Sequence, residues 1–165
     1  MTLMPPSASP LGAPVLPDSS LRHAIPAGSR VLMSQGEAPI ETLVPGDRII
    51  TRDHGMTAIR DLIRLDVEPG TMMIRIPLNA LGIGKPDRDV MLLPDQPVVL
   101  RNWRARTIFR AKEARVAAQR LIDGSVIRPV PFAGGPVWCI VLDRPSAIYV
   151  DGLELVSGAK DAMIA

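Results

Sequence analysis

Cysteine, histidine and aromatic residues are all scarce in this chain of 165 residues, and each scarcity removes a class of function. The single cysteine, Cys139, excludes an intrachain disulfide and any multi-cysteine metal site. With only His23 and His54 beside it, a zinc site lacks ligands, so no metal or other cofactor is expected. Aromatics are 3% of the residues, so a core has to be built from Val, Ile, Leu, Met and Ala. No apolar run approaches the roughly 18 residues of a membrane span. The N-terminus has neither a basic n-region nor a continuous apolar h-region. A soluble chain is expected, cytoplasmic or exported by a non-standard route. The net charge of +2 is too near neutrality to imply nucleic acid or an anionic membrane by itself.

What the chain does have is apolar residues and turns. Hydrophobic residues make up 47%, which predicts a globular fold. The 17 prolines and 13 glycines predict many turns and few long helices. Residues 1–22 hold Pro5, Pro6, Pro10, Pro14 and Pro17 among Ser, Ala and Gly, and read as a flexible tail. One β domain is expected over 23–158, with a short tail at 159–165.

Within that domain, short apolar runs alternate with tight turns. Val31–Ser34 and Arg48–Thr51 read as strands, separated by Glu41–Leu43, long enough for one helical turn, and by Pro45-Gly46. Proline fixes the first φ and glycine supplies the positive φ of a type II turn. Residues 56–67 fit either a strand or a helical stripe; neighbouring strands and the turn at Glu68-Pro69-Gly70 favour the strand. Met72–Ile76, Val90–Leu93, Val98–Leu100, Val126–Val130, Val137–Leu142 and Ile148–Val150 read as further strands. Leu78–Gly84 reads as a short turn of helix capped by glycine. Asp123-Gly124, Gly134-Gly135 and Asp151-Gly152 supply turns. The fold class is therefore all-β.

One internal echo supports two similar halves. Leu43-Val-Pro-Gly46-Asp-Arg-Ile49 and Leu121-Ile-Asp-Gly124-Ser-Val-Ile127 share the pattern Leu-x-x-Gly-x-x-Ile, at an offset of 78 residues. In each copy a helical turn ends at a glycine and a strand begins.

Charge is concentrated in one place. Arg101, Arg104, Arg106, Arg110, Lys112, Arg115 and Arg120 fall between 101 and 120 against Glu113 alone. Such a segment is a solvated face or a site for an anionic partner, whether nucleic acid, phospholipid or an acidic protein patch.

The order of these segments resembles the Hint fold shared by hedgehog autoprocessing domains and inteins, and in particular the bacterial group often called Hint-2. The resemblance runs from about Ala24 to Ser157. It is carried by Ala24-Ile-Pro-Ala-Gly28-Ser29, by Gln35 through Asp47 leading into Thr51-Arg-Asp-His-Gly55, and by Leu92-Leu-Pro-Asp-Gln-Pro97. Arg101-Asn-Trp-Arg104, Leu121-Ile-Asp-Gly124 and Leu142 through Gly152 continue it. The resemblance implies a horseshoe of two pseudo-twofold-related β-subdomains with short helical turns, which agrees with the internal echo.

It also implies self-directed acyl transfer. In the family a Cys, Ser or Thr at the first position attacks the carbonyl of the preceding peptide bond, and a central histidine protonates the leaving nitrogen. Here the nucleophile slot falls on Ala24, the histidine slot on Gln96, and a further histidine slot near Pro145. Alanine has no nucleophilic atom, glutamine cannot transfer a proton at neutral pH, and proline lacks even a backbone N–H. The expectation is a degenerate Hint domain acting as a scaffold or binding module for a protein partner or an anionic ligand. The alternative is residual self-cleavage through Cys139, Ser29 or another hydroxyl. Cys139, in the apolar run Val137–Val141, also reads as a small buried hydrophobe. His54 reads as a polar hairpin tip and His23 as a base or a solvated linker residue. Ser29 reads as a hydroxyl that bonds backbone at the strand entry.

Overall fold

The alternating apolar residues do form strands, and glycine-bearing turns join them. The computed structural model describes residues 23–101 and 113–159. In chain order these contain β1 (Ala24–Pro26), β2 (Arg30–Met33), β3 (Gly36–Pro39), β4 (Arg48–Thr51) and β5 (Gly55–Ala58). There follow β6 (Asp61–Val67), β7 (Met72–Ile76), β8 (Val90–Leu92), β9 (Pro97–Leu100) and β10 (Ala114–Ala117). The last five are β11 (Arg128–Pro131), β12 (Gly135–Leu142), β13 (Ala147–Val150), β14 (Leu153–Val156) and β15 (Gly158–Ala159). Two single-turn 3-10 helices, Ile40–Thr42 and Ala118–Leu121, are the helical elements among the described residues.

Three sheets share the strands. The largest runs β10-β9-β14-β13-β2-β4-β5, with β3 paired to β2. A second is organised on β12. Strand β6 lies antiparallel along one of its edges, from Val67 opposite Gly135 to Asp61 opposite Val141. The other edge carries β1 and then β15, the latter in parallel. The third sheet is β11-β7-β8. One apolar cluster spans the sheets, with Ile25, Val31, Ile49, Ile76, Leu92, Ile140, Ile148 and Leu155 all sealed from solvent.

The turns follow residue chemistry. Pro45 and Gly46 (φ 98°) occupy the middle of a turn closed by Asp47 N–H on Val44 O at 3.1 Å, as a type II turn requires. Asp151 and Gly152 both have positive φ, 50° and 85°, and form the two-residue link that lets β13 fold back on β14.

The internal echo is structural. Each copy has a strand (β3 or β10), a 3-10 turn, a buried leucine (Leu43 or Leu121), a positive-φ glycine, and a fully buried isoleucine (Ile49 or Ile127). An aspartate next to each glycine does similar work. Asp47 accepts the Val44 N–H, whereas Asp123 accepts three, from Ser125, Val126 and Ile127. Those bonds, that from Ser125 foremost, hold the Asp123 carboxyl below its usual pKa.

Leu78–Gly84 is not helical. Asn79 sits at φ 63°, and its Oδ1 accepts the Gly84 N–H at 2.7 Å, so the segment closes as turns. A local side-chain bond has outcompeted the helical ladder. Leu81 is still buried, pinned by its N–H on Lys85 O at 2.8 Å.

This loop packs hard on the β13–β14 turn: a Cβ added to Gly152 would lie 2.2 Å from Gly84 O. Gly152→Ala combines that clash with a positive φ, and is expected to cost about 3 kcal/mol or more. Urea denaturation checks it, with Gly46→Ala, where a Cβ meets nothing within 4 Å, as the strain-only comparison.

Candidate functional site

Strand β1 brings the first slot to the side of the only cysteine. Ala24 pairs with Cys139, Ile25 with Trp138 and Pro26 with Val137. Beyond the strand, Ala27 donates to Pro136 O at 3.3 Å. Antiparallel pairs alternate along a ladder, so three residues away Ala24 and Cys139 form a non-hydrogen-bonded pair, with Cα atoms about 4.5 Å apart. Directly opposed side chains share a face. The Ala24 methyl group and the Cys139 sulfur are therefore neighbours, although 115 residues separate them in sequence.

The surroundings are apolar. Ala24 is 0% exposed and packs with Val67, Met73, Leu93 and Val137. Cys139 is equally buried. Burial, with Asp61 on the neighbouring strand as a lesser cause, pushes its thiol up from 9.0 to about 12. The thiolate, which is the nucleophilic form, is suppressed at neutral pH.

The second slot meets the first through a carbonyl. Gln96 is 0% exposed, and its Nε2 donates to Val156 O at 3.1 Å and to Pro97 O at 2.9 Å. His23 Nδ1 lies 2.9 Å from the same Val156 O. A carbonyl oxygen only accepts, so Nδ1 carries the proton and is not a base. His23 is thus half-buried and tied down, neither a solvated linker residue nor a general base through that nitrogen. Gln96 Oε1 is buried with no hydrogen-bond partner among the described residues.

The third slot lies elsewhere. Pro145 is exposed in the turn between β12 and β13. Its neighbour Ser146 is buried, and His54 Nδ1 lies 2.7 Å from Ser146 Oγ. His54 is therefore a clasp between two turns, reinforced by Ala147 N–H on Asp53 Oδ2 at 2.8 Å. His54 and Ser146 line a small cavity of about 90 Å³ with Thr57, Leu142, Asp143 and Arg144. Ser29 acts through its main chain: its N–H reaches Pro26 O, and its carbonyl accepts from Ile40 N–H at 2.8 Å.

The basic stretch is partly neutralised. Arg101 Nε donates to Glu154 Oε1 at 2.8 Å, and its Nη1 pairs with Glu113. Burial opposes the Arg101 charge, yet the two carboxylates outweigh it and raise the guanidinium pKa. Arg115 lies 3.5 Å from Asp53 and 3.6 Å from Glu113. Arg104, Arg106, Arg110 and Lys112 lie outside the described residues.

Sequence reading names Ala24 and Gln96 but gives no sign of Val156 or Ser146. Val156 acts through its main chain, which leaves no residue-type signal, and Ser146 becomes a partner only through a contact 92 positions away.

Two outcomes are expected at Cys139. Native protein should resist thiol alkylation at neutral pH until unfolded. Because the unfolded chain releases this proton near pH 9.0 and the folded chain near 12, folding stability should fall as pH rises through that window. Ala24→Cys places two sulfurs within the Cα range of a disulfide, and mild oxidation should crosslink it to Cys139. Intact mass lower by two hydrogen atoms and refractory to alkylation reports the crosslink; two alkylatable thiols after oxidation would contradict the register.

Comparison with known proteins agrees with this architecture. A family model described as a Hint domain matches residues 24–161, beginning on Ala24. The solution structure of a bacterial intein-like domain from Clostridium thermocellum is similar, with a TM-score of 0.56 at 15% identity. It covers 82% of this chain and 98% of that one. The crystal structure of the MchDnaB-1 intein gives a TM-score of 0.52 at 13% identity, over 82% of this chain and 100% of the other. No curated protein matches the sequence. At these identities the structural likeness speaks for the fold, and the matched model covers most of the chain: the protein belongs to the Hint domain family and has the all-β intein-type fold.

Proposed function

We propose that this Hint domain keeps the frame of a self-processing site without its reaction, and serves as a non-catalytic scaffold or binding module. The observation that carries the reading is the pair of side chains at the two linked slots. Ala24, sealed in an apolar nest, offers a methyl group where an acyl shift needs sulfur or oxygen. Gln96, sealed and holding Val156 O, offers an amide where the leaving nitrogen needs a proton.

Native protein incubated with and without thiol or hydroxylamine should keep its full-length mass; a fragment beginning at Ala24 would refute the reading. Ala24→Cys combined with Gln96→His should restore thiol-induced cleavage before residue 24. A folded double variant that never cleaves would count against the assignment of both slots.

A second reading has one observation in its favour, the register that sets Cys139 against Ala24. In it the Cys139 sulfur attacks the residue 23 carbonyl from across the strand pair. The peptide C–N bond breaks, the Ala24 nitrogen takes the proton, and a thioester to Cys139 forms. The suppressed thiolate and the lack of a proton donor at Gln96 weigh against it. Slow hydroxylamine-induced loss of residues 1–23 that disappears in Cys139→Ala would establish this reading over the first.

A further inference from the structure

We propose that His23 is a positioning residue, whose imidazole on the Val156 carbonyl fixes the 23–24 peptide bond in the site. The proposal rests on the reading of Ala24 as the nucleophile slot.

The acceptor is rigidly mounted. Val156 ends β14 opposite Ala147, and Leu155 before it pairs with both Ile148 and Val98. Ser157 after it is locked to Ser146 in both directions. Its N–H donates to Ser146 O at 2.9 Å, and its Oγ accepts from Ser146 N–H at 3.2 Å. A carbonyl oxygen has two lone pairs, and two donors occupy this one: His23 Nδ1 at 2.9 Å and Gln96 Nε2 at 3.1 Å. The Gln96 amide cannot turn over without setting its own oxygen against Val156 O and Pro97 O.

The peptide bond between residues 23 and 24 is therefore gripped from both ends. On its C-terminal side, β1 is registered against β12 through Ala24 and Cys139. On its N-terminal side, the His23 ring is held by β14. The Ala24 N–H of a non-hydrogen-bonded pair points away from β12 and the carbonyl of the same peptide faces it, so the His23 ring adds a second anchor, on β14, to what the ladder supplies. A side chain with a donor nitrogen at the Nδ1 position satisfies Val156, and asparagine places its amide nitrogen there. Alanine leaves the carbonyl one donor short, and a carboxylate would set negative charge against it.

Two measurements test this on the whole chain. The first is amide exchange of Ala24 in the native protein. His23→Ala should speed it about tenfold and His23→Asn should restore it, the loss expected for one hydrogen bond; unchanged exchange in His23→Ala overturns the proposal. The second uses Ala24→Cys combined with Gln96→His under reducing conditions, where the new sulfur attacks the residue 23 carbonyl carbon, the C–N bond breaks, and the amine takes the proton. Added thiol then exchanges the thioester and releases the segment ending at residue 23. Replacing His23 by Ala in that background should slow release about tenfold, and replacing it by Asn by no more than about threefold. Equal rates for His and Ala overturn the proposal. No release from any of the three variants sinks the nucleophile-slot reading instead, and the exchange result alone then decides whether His23 fixes the peptide.

Discussion

The register of β1 against β12 is the constraint on which the site depends. Three residue pairs set it, with Ala24 opposite Cys139 at its start. A slip of one residue would turn Ala24 out of its apolar nest and bring Ile25 in, because side chains alternate between faces. Strand β12 resists that slip because its other edge is occupied along seven pairs by β6. The end of the domain that carries Ala24 is thus aligned by a strand more than 100 residues downstream, and β12 must be in place before the site exists.

Around that alignment, the positions that the resemblance to self-processing domains singles out hold groups that pack or bond. Ala24 fills space, Gln96 bridges two carbonyls, and Pro145 ends a turn. The polar chemistry that remains is anchoring chemistry. His54 holds Ser146, and His23 holds Val156. Both histidines of the chain are therefore employed in joining turns or termini to the sheets, and the described residues give neither a cysteine thiolate to activate.

Much of the fold could be read locally. Pro45-Gly46, Asp151-Gly152 and the alternation in Met72–Ile76 each announce their geometry within a few residues, and the structure adopts it. Leu78–Gly84 misleads because apolar spacing suggests a helix, whereas a single amide oxygen on Asn79 settles the matter for a turn. Segment order singles out Ala24 and Gln96, but not the carbonyl shared by Gln96 and His23. Val156 contributes a main-chain oxygen, and no residue type signals that. Ser146 and Cys139 acquire their neighbours across 92 and 115 residues, beyond any window of periodicity. Composition likewise could not show that Arg101 and Arg115 meet carboxylates from distant strands, Glu154 and Asp53.

The two halves of the echo differ most in one hairpin. Strands β2 and β3 are joined by Ser34 and Gln35 alone, whereas β9 and β10 are joined by thirteen residues, 101–113. Closing the longer connection costs only about 1.7 kcal/mol more, because loop entropy grows with the logarithm of length. The Arg101–Glu113 ion pair stands at its base, so β9 and β10 stay registered from Leu100 opposite Ala114 onward. One half of the domain thus owns a port at which the chain can lengthen or change composition while the sheet beneath stays shut.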